Sequence, residues 1–178
     1  MFRVNIHGVP FLGNYNEHHY KSLFRVAEVT TKDEWNGITG VYSNDGYEKP
    51  SEDNFSTAGQ YARWSVYPNK KATVEIDYRN GIIEKISPYD SPIIFMNGRS
   101  LQREEDYVFT LLHELGHHVN RKAEESQDKK DREIGAHTFA LDKYFKIYRR
   151  LKVKQYTYLE EALKEYGIKN YVEFKEYA

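Results

Sequence analysis

Val108-Phe109-Thr110-Leu111-Leu112-His113-Glu114-Leu115-Gly116-His117-His118-Val119-Asn120 is the stretch on which the reading of the fold turns. Val108, Leu111, Leu112, Leu115 and Val119 recur at i, i+3, i+4, i+7 and i+11. That is the spacing of one helical face, so a helix from about Arg103 to Asn120 packs this face into a core. Inside it lies His113-Glu114-Leu115-Gly116-His117, an H-E-x-x-H pattern. Residues four apart stack on a helix, so the two imidazoles can offer nitrogens to one zinc ion while Glu114 faces the space beside it. With 7 His and 18 Glu in 178 residues, chance supplies about 0.03 such patterns, and an amphipathic helix with incidental histidines is a poor account of them.

Downstream, the charged run Ala123 to Arg132 reads as a solvated link. A second helix from about Asp131 to Leu151 buries Ile134, Thr138, Leu141, Phe145 and Tyr148. Thr157 and Glu160 form a T-x-x-E capping box and Gly167 a stop, giving a third helix over Thr157 to Tyr166. Upstream, Ile93 to Met96 is a short strand closed by Asn97-Gly98. Val74, Ile76 and Tyr78 alternate with Thr73, Glu75 and Asp77, and Asn80-Gly81 turns this strand into Ile82 to Ile86 as a hairpin. Thr30 to Gln60, rich in Gly, Asn, Asp and Ser, reads as loop. A helix is predicted from Glu17 to Val29 with Leu23, Phe24 and Ala27 on one side, preceded by extended pieces Arg3 to Ile6 and Val9 to Leu12 around Gly8. The fold class is α+β: a small, mostly antiparallel or mixed sheet of three to five strands packed on the H-E-x-x-H helix and a following glutamate helix. Residues 1–178 form one domain, with 72–141 as the core bearing the site and 156–178 as a C-terminal helical appendage.

Composition narrows the function classes. Lys plus Arg number 26 against 27 Asp plus Glu, a net charge of -1, which marks neither a nucleic-acid scavenger nor an acidic tail. Cysteine is absent, so thiolate zinc sites, Fe–S clusters, disulfide scaffolds and thiol nucleophiles are excluded. The N-terminus lacks a secretory pattern, and the apolar runs Ile93 to Met96 and Val108 to Leu112 are far too short to cross a bilayer. A cytoplasmic protein without a membrane partner is expected. The basic stretch Lys143 to Lys154 reads as cations complementing a helix C-terminus, and direct nucleic-acid binding is not expected.

A catalytic zinc needs three protein ligands and an open position. Glu124, Glu125, Glu133 and His137 are the downstream candidates. Glu124 and Glu125 fall in the solvated run and read as exposed charges. Glu133 opens the second helix and shares a side with Ala136, a small residue that permits close helix approach, so Glu133 is taken as the third ligand. His137, one turn later, reads as an outer partner orienting Glu133 or a histidine, or touching substrate; its direct ligation would close the site. A di-metal carboxylate site would need a second Glu-x-x-His, and Glu133 and His137 are four apart, not three. An oxyanion-stabilising group is sought among His7, His18, His19, His118 and the tyrosines, with His118 read as a surface imidazole and the His18-His19 pair as surface or core.

Phe109-Thr110-Leu111-Leu112-His113-Glu114-Leu115-Gly116-His117 followed by Glu133-Ile134-Gly135-Ala136-His137-Thr138-Phe139-Ala140 resembles the ImmA/IrrE family of zinc metallopeptidases, with its F-T-L-x-H-E-L-G-H and E-x-x-A-N-x-F-A patterns. The resemblance spans about Ile93 to Leu141, with His137 standing where the family has asparagine. It implies a thermolysin-like minimal gluzincin architecture, one zinc per chain held by His113, His117 and Glu133, and Glu114 as the catalytic glutamate. It also implies a protein or peptide substrate, with transcriptional repressors of mobile elements and stress genes as the known class, and so a phage or mobile-element setting. Asn97 is a candidate contact for substrate backbone added along a sheet edge. The rival reading is a zinc-containing interaction protein of the same fold that binds a partner without cleaving it.

Overall fold

A computed structural model describes residues 2–13, 17–44, 59–62, 74–78, 82–86, 92–97, 101–153 and 158–167. Strands β1 (Phe2–Ile6) and β2 (Val9–Gly13) form a hairpin in which Ile6 faces Val9. Its two-residue turn places both His7 (φ 52) and Gly8 (φ 91) in the left-handed region, the geometry that matches a right-handed strand twist. Helix α1 (Glu17–Val29) follows, opened by an acidic residue and braced by a Lys21–Glu17 pair at 2.8 Å. Both ends agree with the sequence reading, and so do Leu23 and Ala27 on its inner side, but not Phe24. His19, Ser22, Leu23 and Val26 point inward, while Phe24 is half exposed.

The segment read as loop contains structure. A 3-10 turn at Lys32–Trp35 buries Trp35, whose indole N–H donates to Thr30 Oγ1 at 3.0 Å. It leads into strand β3 (Gly40–Asn44). Two more sheet strands, β4 (Gly59–Ala62) and β7 (Ile93–Asn97), complete a five-stranded mixed sheet in the order β1-β2-β3-β7-β4. β3 lies parallel to both its neighbours, and β4 runs antiparallel to β7. The expected hairpin is present as β5 (Val74–Tyr78) and β6 (Ile82–Ile86), paired antiparallel in a separate two-stranded sheet. Its Asn80-Gly81 turn lies outside the described residues.

The register sorts the main sheet into two faces, because successive strand side chains alternate. Phe11, Val41 and Ile94 stand side by side on one face and belong to the large core. Leu12 and Tyr42 with Phe95 form a smaller cluster on the other. The large core runs from Ile6 to Leu163 and so reaches well beyond residues 72–141 at both ends.

Helix α2 (Glu104–Asn120) is the hub, touching α1, β4, β7 and the 3-10 turn at Lys32–Trp35. Glu104, Glu105 and Asp106 occupy its first turn and oppose the positive end of its dipole. Val108, Leu111, Leu112 and Leu115 are fully buried as the spacing demands, whereas Val119, in the last turn, is exposed. A 3-10 turn, Ala123–Ser126, then precedes helix α3 (Lys129–Ile147). The Asp128 side chain caps α3 by accepting from the Asp131 N–H at 2.9 Å. Helix α3 ends four residues before Leu151, and its most buried line is Ala136, His137, Ala140, Leu141 and Tyr144. Ile134, Thr138, Phe145 and Tyr148 are flanking, partly exposed positions. Helix α4 (Leu159–Glu165) packs on α3. Gly167 (φ 71) stops it as expected, while Thr157 lies outside the described residues. The chain is thus α+β with a small mixed sheet. No helix among the described residues is long and apolar enough to cross a membrane.

Candidate metal centre

Close contact between α2 and α3 builds the site. Gly116 faces Ala136, and a Cβ on Gly116 would come within 2.8 Å of the Ala136 carbonyl oxygen. Only two small residues allow this approach, and it carries Glu133, in the second turn of α3, up to the histidines one turn apart on α2. The Glu133 carboxylate straddles the pair, with Oε2 at 3.3 Å from His113 Nε2 and Oε1 at 3.7 Å from His117 Nε2. The two Nε2 atoms are 3.2 Å apart. A tetrahedral zinc with ordinary bond lengths sets its ligand atoms about 3.3–3.4 Å from one another. The spacing of these three groups, and their nitrogen and oxygen character, fit such an ion.

His137 also belongs to the centre. Its ring lies 4.3 Å from that of His113 and stacks on Phe109 at 5.8 Å. His113, Glu133 and His137 offer ligand atoms within 4.8 Å of one another and could hold a metal ion. Burial, reinforced by the neighbouring His113 charge, drives His137 down to about 3 against the pull of Glu133, so this imidazole is neutral at physiological pH. Burial works the other way on Glu133, but the hydrogen bond from His113 and the surrounding imidazole charges outweigh it and hold the carboxyl at about 2. Glu133 is therefore an anionic donor at neutral pH.

Glu114 is buried beside these groups at 6% exposure and is one of the charges that favour protonation of His117. Glu124 overturns its reading as an exposed charge. It is buried on the turn that follows α2, and its Oε1 lies 2.8 Å from His117 Nδ1. No periodicity reaches it, because it sits past the helix end; its seven-residue separation from His117 was the only available signal. His117 is raised above its ordinary value: burial opposes the proton, and the Glu124 hydrogen bond together with the carboxylates of Glu114, Glu124 and Glu133 overcomes it.

The other imidazoles lie elsewhere. His118 is fully buried rather than on the surface, and its Nε2 donates to the Asn36 carbonyl at 3.0 Å. His19 is core, donating to the Leu101 carbonyl at 2.7 Å and stacking on Tyr107. His7 donates to the Ala27 carbonyl at 3.2 Å, and His18 is exposed. Asn97 ends β7, which is flanked by β3 and β4 rather than lying at an edge. Among the described strands the sheet edge on this side is β4, so a segment added at that edge would pair with β4 and not with β7, which Asn97 ends. The Asn97 side chain lies outside the described residues. In the basic stretch, Lys143 is buried and paired with Glu34 at 2.6 Å, Lys146 pairs with Asp142 at 2.8 Å and Lys152 with Glu105 at 3.8 Å.

No protein-family model, curated protein or solved structure matches the chain.

Proposed function

We propose that the chain is a zinc-dependent metallopeptidase, a minimal gluzincin-like hydrolase of peptide bonds that uses one zinc per chain and acts in the cytoplasm. The supporting observation is the convergence of Glu133 on both histidines of the H-E-x-x-H helix, at 3.3 and 3.7 Å. Zinc held by His113, His117 and Glu133 would supply an acidified water and a polarised scissile carbonyl. Glu114, the one acidic residue between the two histidines, would be the proton carrier there, its carboxylate accepting a proton from the water and giving it to the departing amine. The edge strand β4 packs beside α2 and among the described strands pairs only with β7. A substrate segment extended along its other side would add a strand to the sheet that α2 packs beside. The substrate class is a regulatory protein such as a transcriptional repressor, on the resemblance of the two motifs alone.

Elemental analysis and peptide-library cleavage, run on the same preparations, test this reading. The native chain should hold about one zinc, Glu133→Ala should lose it, and Glu114→Gln should keep it while cleavage falls about 10²- to 10⁴-fold. A native chain that takes up no zinc when supplied with it overturns the metal site. Undiminished cleavage by Glu114→Gln overturns the mechanism. A partner whose binding and biological effect survive Glu114→Gln would mark the chain as an interaction protein.

A further inference from the structure

We infer that Glu124 is a positioning residue for the centre: it clamps the Nδ1 edge of His117 so that the ring turns Nε2, unprotonated, toward His113 and Glu133. The inference rests on the metal site proposed above but concerns a residue outside both sequence motifs.

A carboxylate is costly to bury unless it is hydrogen-bonded, and Glu124 is buried at 6% exposure with His117 Nδ1 at 2.8 Å. Its backbone is held as well, since it lies within the 3-10 turn over Ala123–Ser126 and its carbonyl accepts from the Gln127 N–H. The clamp therefore does not swing on a free loop. An ionised carboxylate can only accept, so in the neutral ring Nδ1 carries the proton and Nε2 the lone pair. That nitrogen is the one aimed at His113 Nε2 (3.2 Å) and at the Glu133 carboxylate (3.7 Å). His113 shows the contrast: among the described residues its buried Nδ1 has no hydrogen-bond partner. One histidine of the pair is thus oriented from outside and the other is not. Carboxylates behind ligating histidines fix tautomer and ring orientation and raise basicity, and their loss weakens metal binding about 10- to 100-fold.

The test uses the full chain with histidine nitrogens labelled. Long-range proton–nitrogen correlation spectra of the metal-free protein, above neutral pH, should show His117 in the Nδ1–H tautomer. In Glu124→Ala the tautomer should redistribute and zinc affinity, measured by chelator competition, should fall about 10- to 100-fold. Glu125→Ala, an exposed neighbour on the same turn, should leave both readouts unchanged. Persistence of the Nδ1–H tautomer in Glu124→Ala, or unchanged zinc affinity, overturns the inference. If that variant does not fold, Glu124→Gln decides: its amide oxygen can still accept from Nδ1–H, so the tautomer should be retained with weaker zinc binding, and native affinity would overturn the clamp. Should the native chain bind no zinc, the proposed function falls, while the tautomer in the metal-free protein still decides the role of Glu124.

Discussion

His117 and His137 both lie near His113 and Glu133, and a catalytic zinc with three protein ligands can use only one of them. Geometry favours His117. Its Nε2 lies 3.2 Å from His113 Nε2, close to the ligand separation of a tetrahedral ion, and the ligand atoms of His113, Glu133 and His137 lie within 4.8 Å of one another. His117 also has a carboxylate behind it, and His137 packs its ring against Phe109 instead. His137→Asn should therefore retain about one zinc per chain, and His117→Ala should lose most of it. Equal loss in both variants, read by elemental analysis after gel filtration, would move the ligand set to His113, Glu133 and His137. At this scale the sequence was most informative where one helix supplies the geometry. His113, Glu114 and His117 are legible because a four-residue spacing on a helix is already a spatial statement. Glu133 is legible only through the helix that follows, and Glu124 reads as an exposed charge but is buried, because a residue past a helix end can face water or fold back, and only packing decides.

Between elements, the controlling contact is Gly116 against Ala136. Alanine is the better helix former, by about 1 kcal/mol over glycine in a helix interior, so on α2 alone Gly116→Ala would stabilise. The added Cβ would instead meet backbone, the Ala136 oxygen at 2.8 Å and Cα at 3.0 Å, and neither can yield without moving α3. Overpacking of this kind costs about 1–3 kcal/mol, so the balance is a small net destabilisation, with a melting midpoint lowered by roughly 2–6 °C. Displacing α3 shifts Glu133 relative to both histidines, so zinc affinity should fall far more than stability does. A thermal scan beside a zinc competition titration reads both, and a variant with native affinity would show that the helix spacing does not set the site. Helix α2 and strands β1, β2 and β7 were legible because their apolar periods are clear, whereas α1 was legible only in part, since Phe24 faces outward. Strand β3 was not, since Gly40-Val41-Tyr42-Ser43-Asn44 has the composition of a turn. It is a strand because β2 and β7 pair with it on both sides, and pairing overrides propensity.

Across the whole molecule, the large core from Ile6 to Leu163 and two buried histidines, His19 and His118, join segments far apart in sequence, and such long-range contacts are not legible in local pattern. His19 on α1 donates to the Leu101 carbonyl just before α2 and stacks on Tyr107 at 4.5 Å. Burial, with a smaller push from the His18 charge, keeps His19 below its ordinary value despite the favourable Leu101 carbonyl. Linkage then has a definite sign. The unfolded chain takes up this proton near pH 6.5, but the native chain resists it until lower pH, so the unfolded state binds more protons in that window. His19 thus contributes stability that is present above about pH 6.5 and is lost as pH falls toward its lowered native value. Thermal unfolding followed from about pH 7.5 down to pH 5, with chelator present so that metal binding does not contribute, should show a falling midpoint. His19→Gln keeps an N–H for the Leu101 carbonyl but cannot take up the proton, and its midpoint should fall less steeply over the same range. Parallel curves for the two proteins would mean that acid enters the fold elsewhere and that α1 is not held to the site helix through a neutral His19.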